Sequence, residues 1–181
     1  MRLLKDETIA VVIDIQEKLF PHIAENDTLT VNCKKIIEGL KILEIPFIVT
    51  EQYTKGLGST ITEIKEVLGD LYKPIEKIDF SCCGSLEFLE VLRNSGKKNV
   101  ILIGIETHVC VLQTSLDLLS EGFQPVLIED CVSSRSLINK KIAVQRMLHE
   151  GCIISTYESI LFELCRRAGN DSFKAISKLV K

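Results

Sequence analysis

Short apolar runs rich in β-branched side chains alternate along this chain with segments whose apolar residues recur every three or four positions. Thr8 to Ile15 (TIAVVIDI) is the first such run, and it reads as a strand buried on both faces with a carboxylate near its end. Pro21 breaks any helix that starts directly after it. From Asp27 the spacing turns helical, with Leu29, Ile36, Ile37, Leu40 and Leu43 on one side and Asp27 or Thr28 available as the cap. Ile45 to Thr50 (IPFIVT) predicts a second buried strand. Gln52 to Thr60, with Gly56 and Gly58, predicts a loop that turns tightly.

The alternation continues to the C-terminus. Thr60 to Leu68 predicts a short helix, Tyr72 to Lys77 a third strand, Ser85 to Asn94 an amphipathic helix, and Val100 to Ile105 (VILIGI) a fourth strand. Val109 to Leu119 is helical, Pro125 to Ile128 a strand, Leu137 to His149 a helix and Cys152 to Ser155 a strand. Tyr157 to Arg167 and Ser172 to Val180 form the closing helices. Wholly apolar strands separated by helices and short connections require parallel pairing with helices on both faces. The expected fold is therefore α/β, a doubly wound three-layer α/β/α sandwich around a mainly parallel six-stranded sheet. No repeat, low-complexity segment or linker divides it, so residues 1–181 are expected to form one domain.

Composition narrows the function classes. With 22 basic and 25 acidic residues interspersed, net charge −3, there is no basic stripe to track phosphates, and nucleic acid is not expected as a partner. No apolar stretch reaches the length of a membrane span, and Met1 to Glu7 carries four charges and no signal-like apolar region. A cytoplasmic protein is expected. Seven cysteines, an odd number in a chain of 181 residues without such a signal, argue for reduced thiols, most of them packing as small hydrophobes.

In doubly wound sheets ligands bind beyond the carboxyl ends of the strands. Those ends carry Asp14, Lys77 and the segment Gly104-Ile105-Glu106-Thr107-His108-Val109-Cys110. Placed in the first turn of a helix, Cys110 is expected to have a lowered thiol pKa. Lys77 would steady a thiolate and Asp14 would take the thiol proton and return it to a leaving amine. Taken singly each residue has an ordinary alternative: Asp14 a structural cap, Lys77 a solvated lysine, Cys110 core filler.

The segments VVIDIQEKLF (11–20), VTEQYTKGLGST (49–60), EKIDFSC (76–82) and GIETHVCV (104–111), with DCVSSRS (130–136), resemble the isochorismatase-like cysteine hydrolase superfamily over nearly the whole chain. The resemblance implies an Asp14, Lys77 and Cys110 triad. It also implies a cis peptide between Ile105 and Glu106, and an oxyanion hole from the N–H groups of Glu106 and Cys110. The metal-using nicotinamidases of that superfamily carry an Asp and two His after the second strand. Here Glu51, Gln52 and Tyr53 stand there, so neither a metal nor another cofactor is expected. A cysteine at the nucleophile position points to amide-like C–N hydrolysis of a small molecule instead of the namesake reaction.

Phe20, Tyr53, Phe80 and Thr107 are candidate pocket residues, with ordinary packing the alternative for the three aromatics. His108 reads as a pocket wall or surface residue. A scaffold with little activity, or a redox-sensing Cys110 resolved by Cys82 or Cys83, are the competing functions. A homo-oligomer is expected, with the apolar helix Val109 to Leu119 either its interface or part of the core.

Overall fold

The computed structural model describes residues 2–181. Six strands form one sheet: β1 (Thr8–Ile13), β2 (Phe47–Gln52), β3 (Pro74–Lys77), β4 (Asn99–Ile105), β5 (Gln124–Ser133) and β6 (Ile153–Ser155). Their spatial order is β3-β2-β1-β4-β5-β6, and every pairing is parallel. Eight α-helices connect and flank them: α1 (Asn26–Ile42), α2 (Thr54–Leu57), α3 (Thr62–Leu68), α4 (Leu86–Asn94), α5 (Leu112–Ser120), α6 (Leu137–Glu150), α7 (Tyr157–Cys165) and α8 (Asp171–Leu179).

The two-residue period of the central strands divides the core. Ala10 and Val12 of β1, with Ile101, Ile103 and Ile105 of β4, pack toward α1, α3, α7 and α8. Ile9, Val11 and Ile13, with Val100 and Leu102, pack toward α4, α5 and α6. Both faces of the sheet are thus covered, which is why these strands are apolar at every position after their first residue. From β1 the order runs outward to β2 and β3 on one side and to β4, β5 and β6 on the other. The switch point therefore lies between the carboxyl ends of β1 and β4, where such sheets bind ligands.

Gly104 keeps these two strands close at that end. Its φ of +123° suits glycine, and a Cβ there would collide with the carbonyl oxygen of Ile13.

Several boundaries differ from the sequence reading. β1 ends at Ile13, because Asp14 adopts a positive φ of 50° that turns the chain out of the sheet. β2 begins after Pro46, which has no N–H to give a ladder, and runs on to Gln52. β3 is an edge strand of four residues, the position where Pro74 is tolerated. β5 continues through Glu129 and Asp130 to Ser133, its register against β4 shifting between Leu102 and Gly104, so the polar pair that looked like its end lies within it. Neither Asp27 nor Thr28 caps α1; Glu25, with φ 57°, holds that place without a side-chain bond. The segment Gln52 to Thr60 contains α2 and is pinned by a Gln16–Thr60 bridge.

The helix offered as an interface starts as a π-helical turn, Thr107–Val111, before α5. Its Val111 and Leu118 belong to the core. The helix that does expose several apolar side chains is α6, with Leu137, Ile138, Ile142 and Leu148. Among the described residues no helix is long and apolar enough to cross a membrane.

Candidate active site

The switch point gathers Asp14 and Lys77, 63 positions apart in sequence, into direct contact. Lys77 Nζ lies 2.6 Å from Asp14 Oδ2, with both side chains 1% exposed. The ammonium donates its other hydrogens to the carbonyl oxygens of Asp79 (3.1 Å) and Phe80 (3.0 Å), so all three of its N–H donors are engaged. Asp14 Oδ1 accepts the Thr50 hydroxyl at 2.8 Å. This second bond steadies the carboxylate from the neighbouring strand.

Cys110 is 4% exposed and sits in the π-helical turn after β4. Its thiol donates to Gln52 Oε1 at 3.4 Å, and it is electrostatically coupled to Asp14 and Lys77. The coupling runs against the sequence expectation. Burial raises the Cys110 pKa, Asp14's charge raises it further, and Lys77 only partly opposes them. The thiol is therefore protonated at neutral pH. The expected thiolate required a free cation, but Lys77 is already paired and the site excludes water.

Asp14 is itself held above the usual carboxylate range by burial, against the pull of Lys77. Burial works against the Lys77 charge, but Asp14 beside it outweighs that and raises the Lys77 pKa. The arrangement is a neutral thiol beside a paired carboxylate and ammonium. Such a carboxylate can take a proton from the sulfur more readily than a solvated one.

The other residues named from sequence fall in different places. The Ile105–Glu106 peptide is cis. Tyr53, half exposed with φ 40°, lines a cavity of about 380 Å³ with Lys55, Glu76, Lys77 and Ile78. Phe80 lines a separate hollow of about 360 Å³ whose wall also includes Ile78 and Gln113. Phe20 is half-buried and packs against the core on the α1 side. Thr107 is wholly buried, its Oγ1 without a partner among the described residues, so it presents no surface to the pocket. His108 Nδ1 meets Ser134 Oγ at 2.9 Å.

Cys82 is fully buried beside Thr50, and burial first, then Asp14's charge, push its thiol up to about 11. Cys83 is pushed up to about 12, mainly by burial. Thiols held protonated in this way react slowly with peroxide, which weakens the redox reading.

Sequence reasoning missed Gln52 as a contact of the sulfur. Its backbone is held by Gln16, which accepts from Gln52 N at 2.7 Å and donates to Gln52 O at 3.0 Å, and its own Nε2 donates to Ile78 O at 3.1 Å. The available signal was its position at the carboxyl end of β2. Glu51 turns away from this cluster; its Oε1 accepts Thr60 N, Thr60 Oγ1 and the Tyr72 hydroxyl.

The isochorismatase domain model matches residues 8–159, most of the chain. The chain belongs to the isochorismatase family. This isochorismatase-family chain is 38% identical over 183 residues to the secreted isochorismatase effector Isc1 of Phytophthora sojae, covering 99% of this chain and 87% of that one. It is 35% identical to mouse isochorismatase domain-containing protein 2A, with 99% and 85% covered. Among solved structures, the MAR1 ribonuclease of Caenorhabditis elegans superposes with TM-score 0.92 at 38% identity, over 99% of this chain and 92% of that one. Escherichia coli YcaC, described as an octameric hydrolase of unknown specificity, shares the fold with TM-score 0.92 at 24% identity, over 99% and 90%. The family supports a hydrolase-type enzyme.

Proposed function

We propose that this isochorismatase-family chain is a cysteine hydrolase that cleaves an amide-like C–N bond of a small molecule. The observation that carries the reading is the buried 2.6 Å contact of Asp14 with Lys77 beside the Cys110 thiol, which burial and then Asp14's charge keep protonated. A structural ion pair has no need of a thiol at the switch point of the sheet.

In this mechanism Cys110 Sγ bonds to the substrate carbonyl carbon as its proton passes to Asp14. Lys77 holds the carboxylate in place and balances the charge. The oxyanion rests on the backbone N–H groups of Glu106 and Cys110. As the C–N bond breaks, Asp14 returns the proton to the leaving nitrogen, and a thioester remains. Water, deprotonated by Asp14, attacks the thioester carbon; the acid leaves and the thiol is restored. The cavity lined by Tyr53 and Ile78 reaches Lys77 and serves as the entrance.

The test is a panel of small amides and ureido compounds with wild type and Cys110→Ala. Because the C. elegans relative is described as a ribonuclease, a short RNA joins the panel. Turnover of an amide that Cys110→Ala lowers by about 10³-fold or more is the expected result. Equal rates in both proteins remove Cys110 as nucleophile, and Cys110-dependent cleavage of the RNA alone overturns the amide reading.

The chain is also proposed to self-associate through the α6 face that exposes Leu137, Ile138 and Ile142. Sedimentation velocity is expected to show a species above the 20.3 kDa monomer that Ile138→Glu dissociates. A wild-type monomer would refute it.

A further inference from the structure

Asp14 is held at both oxygens, and only one of the two donors carries a charge. Lys77 bonds Oδ2, while the Thr50 hydroxyl donates to Oδ1 at 2.8 Å. Thr50 stands opposite Ile13 in the ladder between β1 and β2, and its carbonyl oxygen accepts the Asp14 N–H at 3.2 Å. Asp14, which turns out of the sheet, is thus braced by Thr50 through both backbone and side chain. Thr50 Oγ1 has one more contact, with Cys82 Sγ at 3.7 Å.

The direction of that contact follows from counting protons. A threonine hydroxyl has one hydrogen to donate and two lone pairs to accept with. An ionised Asp14 can only accept, so the Thr50 hydrogen is committed to it and the Cys82 sulfur must be the donor. Cys82 has the hydrogen to give, because burial and then Asp14's charge push its thiol up to about 11. Its place is fixed as well: the side chain is fully buried, and its backbone N–H donates at 2.9 Å to Thr114 Oγ1 on α5. The result is a two-link chain, from Cys82 S–H to Thr50 O–H to Asp14 Oδ1. Among the described residues, the titratable groups that face Asp14 are Lys77 on β3, Cys110 after β4 and Cys82 after β3. The chain adds donors at the carboxylate without adding a charge.

We infer that Thr50 and Cys82 are positioning residues for the proton transfer, holding Asp14 ionised and in place for the Cys110 thiol. The inference rests on the role given to Asp14 in the hydrolase reading and deepens it. Burial favours the neutral carboxyl, and a protonated Asp14 cannot take a proton from the sulfur. A hydrogen bond to the charged form works the other way, and a donor that itself accepts a hydrogen bond is a stronger donor. The second thiol of the site thereby acts through its hydrogen, not as a nucleophile.

The test reads Asp14 directly, by carbon NMR titration of protein labelled at the aspartate carboxyls, with Asp14→Asn assigning the resonance. Thr50→Val keeps the side-chain shape and deletes the hydroxyl. It is expected to raise the Asp14 midpoint, and Thr50→Ser to return it toward wild type. Cys82→Ala is expected to raise the midpoint by less, and Cys82→Ser, a stronger donor of similar size, to restore it. The Cys82 pair gives the reading should Thr50→Val fail to fold. In turnover of propionamide, a base whose pKa is raised stays protonated over more of the acid range. Thr50→Val is therefore expected to lower kcat/KM about 10-fold or more near pH 5 and to approach wild type as pH rises. An Asp14 midpoint that Thr50→Val leaves unmoved, or a kcat/KM lowered by one factor at every pH, overturns the inference. A midpoint that moves with Thr50→Val but not with Cys82→Ala removes Cys82 from it. Shifted midpoints without propionamide turnover by wild type leave the donor chain standing and count against the hydrolase reading.

Discussion

Asp14→Asn is expected to slow Cys110-dependent hydrolysis about 10²- to 10⁴-fold, the usual contribution of a general base, while making the same thiol easier to alkylate. The two effects move in opposite directions because Asp14 has two consequences for the sulfur. As an acceptor it takes the proton during attack; as a charge it is the second cause, after burial, that holds the thiol protonated. Asparagine removes both and leaves Lys77 as an uncompensated cation nearby. The thiol pKa therefore falls, and the thiolate fraction at pH 8 rises. Iodoacetamide incorporation at Cys110, followed by mass spectrometry across pH, measures this. Wild type is expected to show a midpoint above the ordinary thiol value of about 8.5, and Asp14→Asn a lower one than wild type. If alkylation slows or stays the same in the variant, Asp14's charge does not act on the sulfur, and the proposed proton transfer loses its basis.

Lys77→Met is the second large effect. It leaves a buried carboxylate without its cation, and removing one member of a buried pair costs about 3–5 kcal/mol. Thr50 still donates to Asp14, which places the variant toward the lower end. The cost depends on pH with a definite sign. Burial already raises Asp14 in the folded protein, and losing Lys77 raises it more. A carboxyl raised in the folded state favours folding below its unfolded value near 3.9 and opposes it as pH climbs through the folded value. The deficit of Lys77→Met relative to wild type is thus greatest at neutral and alkaline pH and narrows toward acid. Urea midpoints at several pH values check it; a deficit independent of pH would show that methionine packing, not an orphaned charge, sets the loss.

The architecture was legible from the sequence for a local reason. Apolar runs such as AVVI and VILIGI have no polar position to give to solvent, so they must be covered on both faces, and the intervening helical spacing supplies the cover. The strand ends misread from sequence share one cause. Glu129 and Asp130 lie within β5 because the register shifts against β4, and Asp14 leaves β1 because its backbone turns to a positive φ. Those events depend on a neighbouring strand, which a single segment does not reveal.

Asp14, Lys77 and Cys110 could be named as candidates because each follows a strand end, and parallel strands bring their ends to one rim. Their electrical state could not. A helix start and a nearby lysine argued for a thiolate, yet charge depends on distance and water: Lys77 is 2.6 Å from Asp14, all three groups are buried, and the thiol stays neutral. Gln52 was overlooked for the same kind of reason, since its contact with Cys110 spans 58 positions of sequence.

What the order of residues determined on its own was which segments must be buried and on which edge the reactive groups emerge, because burial pattern is a property of each segment alone. Only the tertiary structure decided which ionisable groups pair and which remain neutral, because those states depend on distances and water exclusion that exist only once the strands have met.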